Sequence, residues 1–78
     1  MSCQPVVSAP DYRVILGAEI RRQRKLAGFT QEKLAEKADL HPNYLGRVER
    51  GEECVSVASL RSIARALNVR VRDLVAGI

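Results

Sequence analysis

Very little of what marks an enzyme or a metal protein is present. The chain of 78 residues holds one histidine and two cysteines. Cys3 and Cys54 stand at no metal-ligand spacing and have too few companions for a disulfide framework. His41 lies between two helical patterns, and no nucleophile and base fall together in any predicted helix. A glycine-rich phosphate loop is also missing. These absences predict a protein that is not an enzyme and carries no cofactor and no metal. No run approaches the ~20 apolar residues of a membrane span. Residues 1–10, MSCQPVVSAP, lack the basic start and apolar stretch of an export signal. The expectation is a cytoplasmic protein with no membrane partner, in which Cys54 is a small buried apolar residue rather than a redox sensor.

What the chain does have is positive charge and helical period. Thirteen basic residues against nine acidic ones give a net charge of +4, which suits an anionic partner. The length suffices for one core. Two prolines and no helical period mark residues 1–10 as a flexible N-terminal arm, which leaves residues 11–78 as a single domain.

The centre of that domain is Thr30 to Gly51. Leu34, Ala35 and Ala38 recur at spacings of three and four, and after a break at Asp39, Leu40 and His41 so do Leu45, Val48 and Glu49. Small Ala35 suits two helices that cross steeply. This is the pattern of a helix-turn-helix. Asp39, in the turn, is expected to take the left-handed backbone that aspartate tolerates at some cost.

The flanking segments supply support. Asp11 caps a first helix that runs to about Ala27 and stops at Gly28. Its inward stripe is Leu16, Ile20, Arg24 and Ala27. An unpaired buried guanidinium would cost several kcal/mol, on the order of an ion's desolvation penalty, so Arg24 needs a carboxylate. Glu49, on the inner edge of the second central helix, is the predicted partner.

Three helix starts repeat one device, an apolar residue, a cap and an apolar residue four positions into the helix: Phe29, Thr30 and Leu34; Leu40, His41 and Leu45; Val55, Ser56 and Leu60. Pro42 follows His41 at the first helical position, where it is favoured. A fourth set, Val69, Arg70 and Leu74, lacks a cap and predicts a short last helix. The fourth helix, Ser56 to about Leu67, turns Leu60, Ile63, Ala64 and Leu67 inward and closes at Asn68. Leu74, Val75 and Ile78 offer apolar surface beyond what so small a core takes up, and are the expected homodimer interface.

Read together, Leu16, Ile20, Arg24, Gly28, Thr30, Gln31, Leu34, Ala35, Ala38, Leu40, Tyr44, Leu45, Val48, Glu49, Gly51, Ser56, Leu60, Ile63, Ala64 and Leu67 resemble the Cro and phage-repressor family. The resemblance covers Leu16 to about Val75. It implies an all-α, compact five-helix bundle with a central helix-turn-helix, a lambda-repressor-like DNA-binding domain. It places phosphate contact on Gln31, and base reading on Pro42, Asn43 and Arg47 with Tyr44 flanking them. It also places the buried ion pair of some members on Arg24 and Glu49. Within the family, the run from Tyr44 through ERGEECVSVASLRSIARALNV is similar to the small stand-alone controller proteins of restriction-modification systems.

The side chains at those positions suit the task. Arg47 carries a planar fork matched to guanine, and Asn43 can pair with an adenine edge, each worth ~1–3 kcal/mol of discrimination. Tyr44 is either a base or phosphate contact or a partly buried support. Gln31, Thr30, Arg50 and Arg24 are the phosphate-contact candidates, with Arg21, Arg22 and Lys25 behind them. One recognition helix reads few base pairs, so the expected regulator is a homodimer on near-palindromic double-stranded DNA, with no small-molecule effector evident. The competing reading is a helix-turn-helix protein-interaction module, such as an antitoxin or an anti-repressor partner. Glu52 and Glu53, near the same edge, favour that rival.

Overall fold

The computed structural model describes residues 11–77, which form five helices: α1 (Tyr12–Leu26), α2 (Gln31–Ala38), α3 (Pro42–Glu49), α4 (Val57–Leu67) and α5 (Val71–Val75). The predicted arm, residues 1–10, lies outside the described residues, as does Ile78.

Side chains start each helix. Asp11 accepts from the Arg13 amide, Thr30 from Lys33, His41 through Nδ1 from Asn43, and Ser56 from Ser59. Each satisfies one donor that the first turn leaves without a partner. At α5 the device is reversed. The Asp73 carboxylate reaches back to the Arg70 amide at 2.9 Å, so this short helix has a tie that its sequence spacing did not suggest.

The ends of α1 to α4 share one geometry. Gly28, Asp39, Gly51 and Asn68 take left-handed backbone, with φ of 77°, 58°, 76° and 59°. The amide after each bonds back five residues: Phe29 to Arg24, Leu40 to Ala35, Glu52 to Arg47 and Val69 to Ala64. This is the Schellman closure, in which the residue after the left-handed position packs on the helix it ends. Phe29, Leu40 and Val69 are apolar and pack on the core, and each also precedes the next helix as its staple. One side chain thus stops one helix and sets the entry angle of the next. After Gly51 the corresponding residue is Glu52, and there the chain runs out into a loop.

The core is Leu16, Ile20, Leu34, Ala35, Ala38, Leu45, Val48, Ile63, Ala64, Leu67 and Leu74. Helix α2 packs chiefly on α4, while α3 lies across α1 and α2. Gly17 permits the α1–α3 crossing, because any Cβ there would meet the carbonyls of Val48 and Glu49. Gly51 is constrained twice, by its positive φ and by Val14, whose Cγ2 would lie 2.7 Å from an added Cβ.

Three expectations are corrected. Ala27 is exposed, since α1 ends one residue earlier and the chain turns away there. Leu74 is 1% exposed, spent on the core rather than on a dimer interface, and Val75 beside it is half-buried. Cys54 is half-buried, its sulfur 3.0 Å from the Tyr12 hydroxyl, and it is not a free thiol.

Candidate nucleic-acid interface

Two faces of α3 divide the labour. Leu45, Gly46, Val48 and Glu49 are buried, whereas Asn43, Arg47 and Arg50 are exposed. The exposed residues join Gln31, Pro42 and Gly46 around one open depression, between the start of α2 and the outer side of α3. The structure thus brings Gln31, Pro42, Asn43, Arg47 and Arg50 onto one surface.

Beneath that surface a single carboxylate ties three helices. Arg24 Nε donates to Glu49 Oε2 at 2.7 Å, and Arg24 Nη2 to Glu49 Oε1 at 3.1 Å. Arg24 Nη1 donates to the Phe29 carbonyl at 2.9 Å, and Gln31 Nε2 to Glu49 Oε1 at 3.0 Å. The Glu49 side chain is 2% exposed and that of Arg24 10%. A paired, fully bonded ion of this kind fixes geometry more than it adds stability. Arg24 is therefore corrected as a phosphate contact, because its guanidinium is committed inside the fold. Gln31 is different. Its amide nitrogen has a second hydrogen, and the residue opens α2, where unpaired backbone donors and the helix dipole favour an anion.

Thr30 is exposed, its hydroxyl oxygen accepting from the Lys33 amide at 3.0 Å, which leaves the hydroxyl hydrogen to donate outward. Tyr44 is half-buried and packs on the core, which fits the supporting role. Arg22 pairs with Glu19 at 2.8 Å, while Arg21 and Lys25 are exposed.

The sequence reading missed what the two exposed arginines, Arg47 and Arg50, pair with. Arg47 Nε donates to Glu53 Oε2 at 3.1 Å. Arg50 donates to Glu52 twice, Nε to Oε2 at 2.9 Å and Nη2 to Oε1 at 3.3 Å. The hydrogen bond from Arg50 holds the Glu52 carboxyl below its ordinary value, and Glu52 in turn raises Arg50. The signal available was the proximity of Glu52 and Glu53 to this edge. Their pairing depends on the path of the loop, which carries no periodicity. Among the described residues there is no group of His, Cys, Asp and Glu able to hold a metal, and no helix is long and apolar enough to cross a membrane.

Comparison with known proteins agrees with this geometry. A family model described as helix-turn-helix matches residues 20–74. The control protein C.SmaI of Serratia marcescens is 41% identical over 64 residues, covering 82% of this chain and 76% of that protein. The fold is similar to the crystal structure of the restriction-modification controller protein C.AhdI from Aeromonas hydrophila, with a TM-score of 0.79 and 37% identity over 80% of this chain and 94% of that one. It is similar also to the clp gene regulator ClgR from Corynebacterium glutamicum, with a TM-score of 0.82 and 39% identity over 88% of this chain and 94% of that one.

Proposed function

The chain belongs to the helix-turn-helix family of DNA-binding transcription regulators, and from that premise we propose that it binds near-palindromic operator DNA as a homodimer and acts as a restriction-modification controller. The observation that carries this reading is the split of α3 into a buried face and an exposed face bearing Asn43 and Arg47, continued by Arg50 at the helix end. A helix exposed in this way can lie in a major groove with its outer side chains at the base edges. Arg47 reads guanine and Asn43 reads adenine, with Pro42 setting the start of the helix and Tyr44 holding its first turn. Gln31, Thr30 and Arg50 contact phosphates, which position the helix without reading sequence. The dimer contact is made without Leu74. Two copies then read half-sites about one turn, ~34 Å, apart.

The test is selection from a random duplex pool at near-physiological salt. Two inverted half-sites should be enriched. Arg47→Ala should relax the preference at one base pair per half-site by about 1–3 kcal/mol, and Gln31→Ala should weaken all duplexes equally. Enrichment of no sequence by the folded protein would point instead to a protein-interaction module.

A further inference from the structure

The loop after α3 is the one helix connection here in which the left-handed residue is followed by an acid rather than an apolar side chain. Glu52 and Glu53 return from it to the two arginines in unlike ways. Glu52 occupies both Nε and Nη2 of Arg50. Glu53 takes Arg47 by Nε alone, at 3.1 Å. Among the described residues, neither terminal nitrogen of Arg47 has a partner.

The difference matters because a guanidinium is planar and rigid. Bonding at Nε orients the plane and leaves the end-on pair, Nη1 and Nη2, to present two parallel N–H bonds. That pair matches O6 and N7 of guanine. A carboxylate that took the side-on pair, as Glu52 does at Arg50, would leave only one terminal nitrogen wholly unengaged, which suits a single phosphate oxygen.

We infer that Glu53 is a positioning residue for base readout: by holding Arg47 at Nε it presents the end-on fork to guanine, while its charge lowers affinity for every duplex. The inference rests on the reading of Arg47 as a base contact. Positioning and charge act on different quantities. The held fork favours one base, whereas a negative charge beside the phosphates weakens every duplex alike. Glu53 thereby lowers general affinity and raises selectivity. Its field also reaches Arg13, whose guanidinium is bonded to Asp11, so a purely structural role at the start of α1 is the alternative to separate.

The experiment uses the full chain with wild type, Glu53→Ala, Glu53→Gln and Arg47→Ala. Affinity is measured by fluorescence anisotropy for the selected operator, the operator with the guanine replaced, and an unrelated duplex. Glutamine keeps an acceptor for Nε without the charge, and alanine keeps neither. Glu53→Ala should lose about tenfold of the guanine preference and bind the unrelated duplex a few-fold tighter. Glu53→Gln should bind the unrelated duplex tighter too but keep the guanine preference within about twofold. A Glu53→Ala protein that retains the preference overturns the inference, leaving Glu53 as a charge alone, while Arg47→Ala still flattens it. If Arg47→Ala keeps the preference, the reading of Arg47 itself has failed. Should Glu53→Ala not fold, Arg47 Nε–H exchange in the wild-type protein decides. Exchange slower than at exposed Arg61 supports the tether, and equal exchange overturns it.

Discussion

Gly17 of α1 lies against the carbonyl of Val48 in the last turn of α3, so that backbone meets backbone where the two helices cross. A Cβ on Gly17 would stand 2.7 Å from the Glu49 carbonyl oxygen as well. Alanine favours a helix interior by roughly 1 kcal/mol over glycine, yet here it must push the recognition helix outward. Gly17→Ala is expected to lower stability by about 1–3 kcal/mol in urea denaturation, as overpacked sites do. Gly46→Ala is the control. Its nearest neighbour is the end of the Arg50 side chain at 3.3 Å, which can move aside, so its cost should stay below about 1 kcal/mol. Equal effects would show that α1 and α3 are not in backbone contact.

The Arg24–Glu49 pair gives a second test. Removing one partner leaves the other charge buried, so Arg24→Met or Glu49→Leu alone should cost about 3–5 kcal/mol. The double variant should recover most of that loss. Because Glu49 also anchors Gln31, the double variant should still bind DNA more weakly than wild type, as operator titration would show. Additive stability losses would sink the pairing.

The turns offer a gain. Asp39 takes a φ of 58°, a conformation that glycine enters without a Cβ penalty. Asp39→Gly should leave stability unchanged or raise it by up to about 1 kcal/mol, whereas Asp39→Val should lower it. The neighbouring cap runs the other way, with Thr30→Ala costing about 1 kcal/mol. A thermal melt of each variant decides.

Acid should weaken the fold. Hydrogen bonds from Arg22 first and Gln23 second hold the Glu19 carboxyl below its ordinary 4.5. Asp11, bonded by Arg13, and Glu52, bonded by Arg50, are lowered likewise. A carboxyl whose folded value lies below its unfolded one contributes stability that is complete above the unfolded value. That contribution is lost as pH falls through the folded value. The melting temperature should therefore drop as the pH is taken below the ordinary carboxyl range and through the lowered folded values. Glu19→Gln should flatten part of that fall, and an unchanged profile would show that Glu19 adds nothing.

Much of this was legible in the sequence because it follows from local rules. The staples at Phe29, Leu40 and Val55 need only spacing and a cap, and the left-handed Asp39 and Asn68 follow from their place between two periods. The approach of Arg24 to Glu49 followed from charge, since a basic residue on an inward stripe demands an acid on the facing helix. Leu74 was misjudged because five residues of α5 carry too little period to fix which face turns in. The pairs Arg47–Glu53 and Arg50–Glu52 were beyond sequence reasoning, for they depend on how an irregular loop folds back over a helix. The bond from Gln31 to Glu49 is of the same kind, set by the crossing of α2 and α3.

On α3 and at its C-terminal cap the residues that hold the fold and those that face outward share no position: Leu45, Val48 and Glu49 do the first, Asn43, Arg47 and the capping Arg50 the second. If Asn43 and Arg47 read bases as proposed, a lineage that changes those two can acquire a new target while inheriting its scaffold intact. Sister proteins of one architecture can then share a cell without answering to each other's signals, and a few codons set the distance between them.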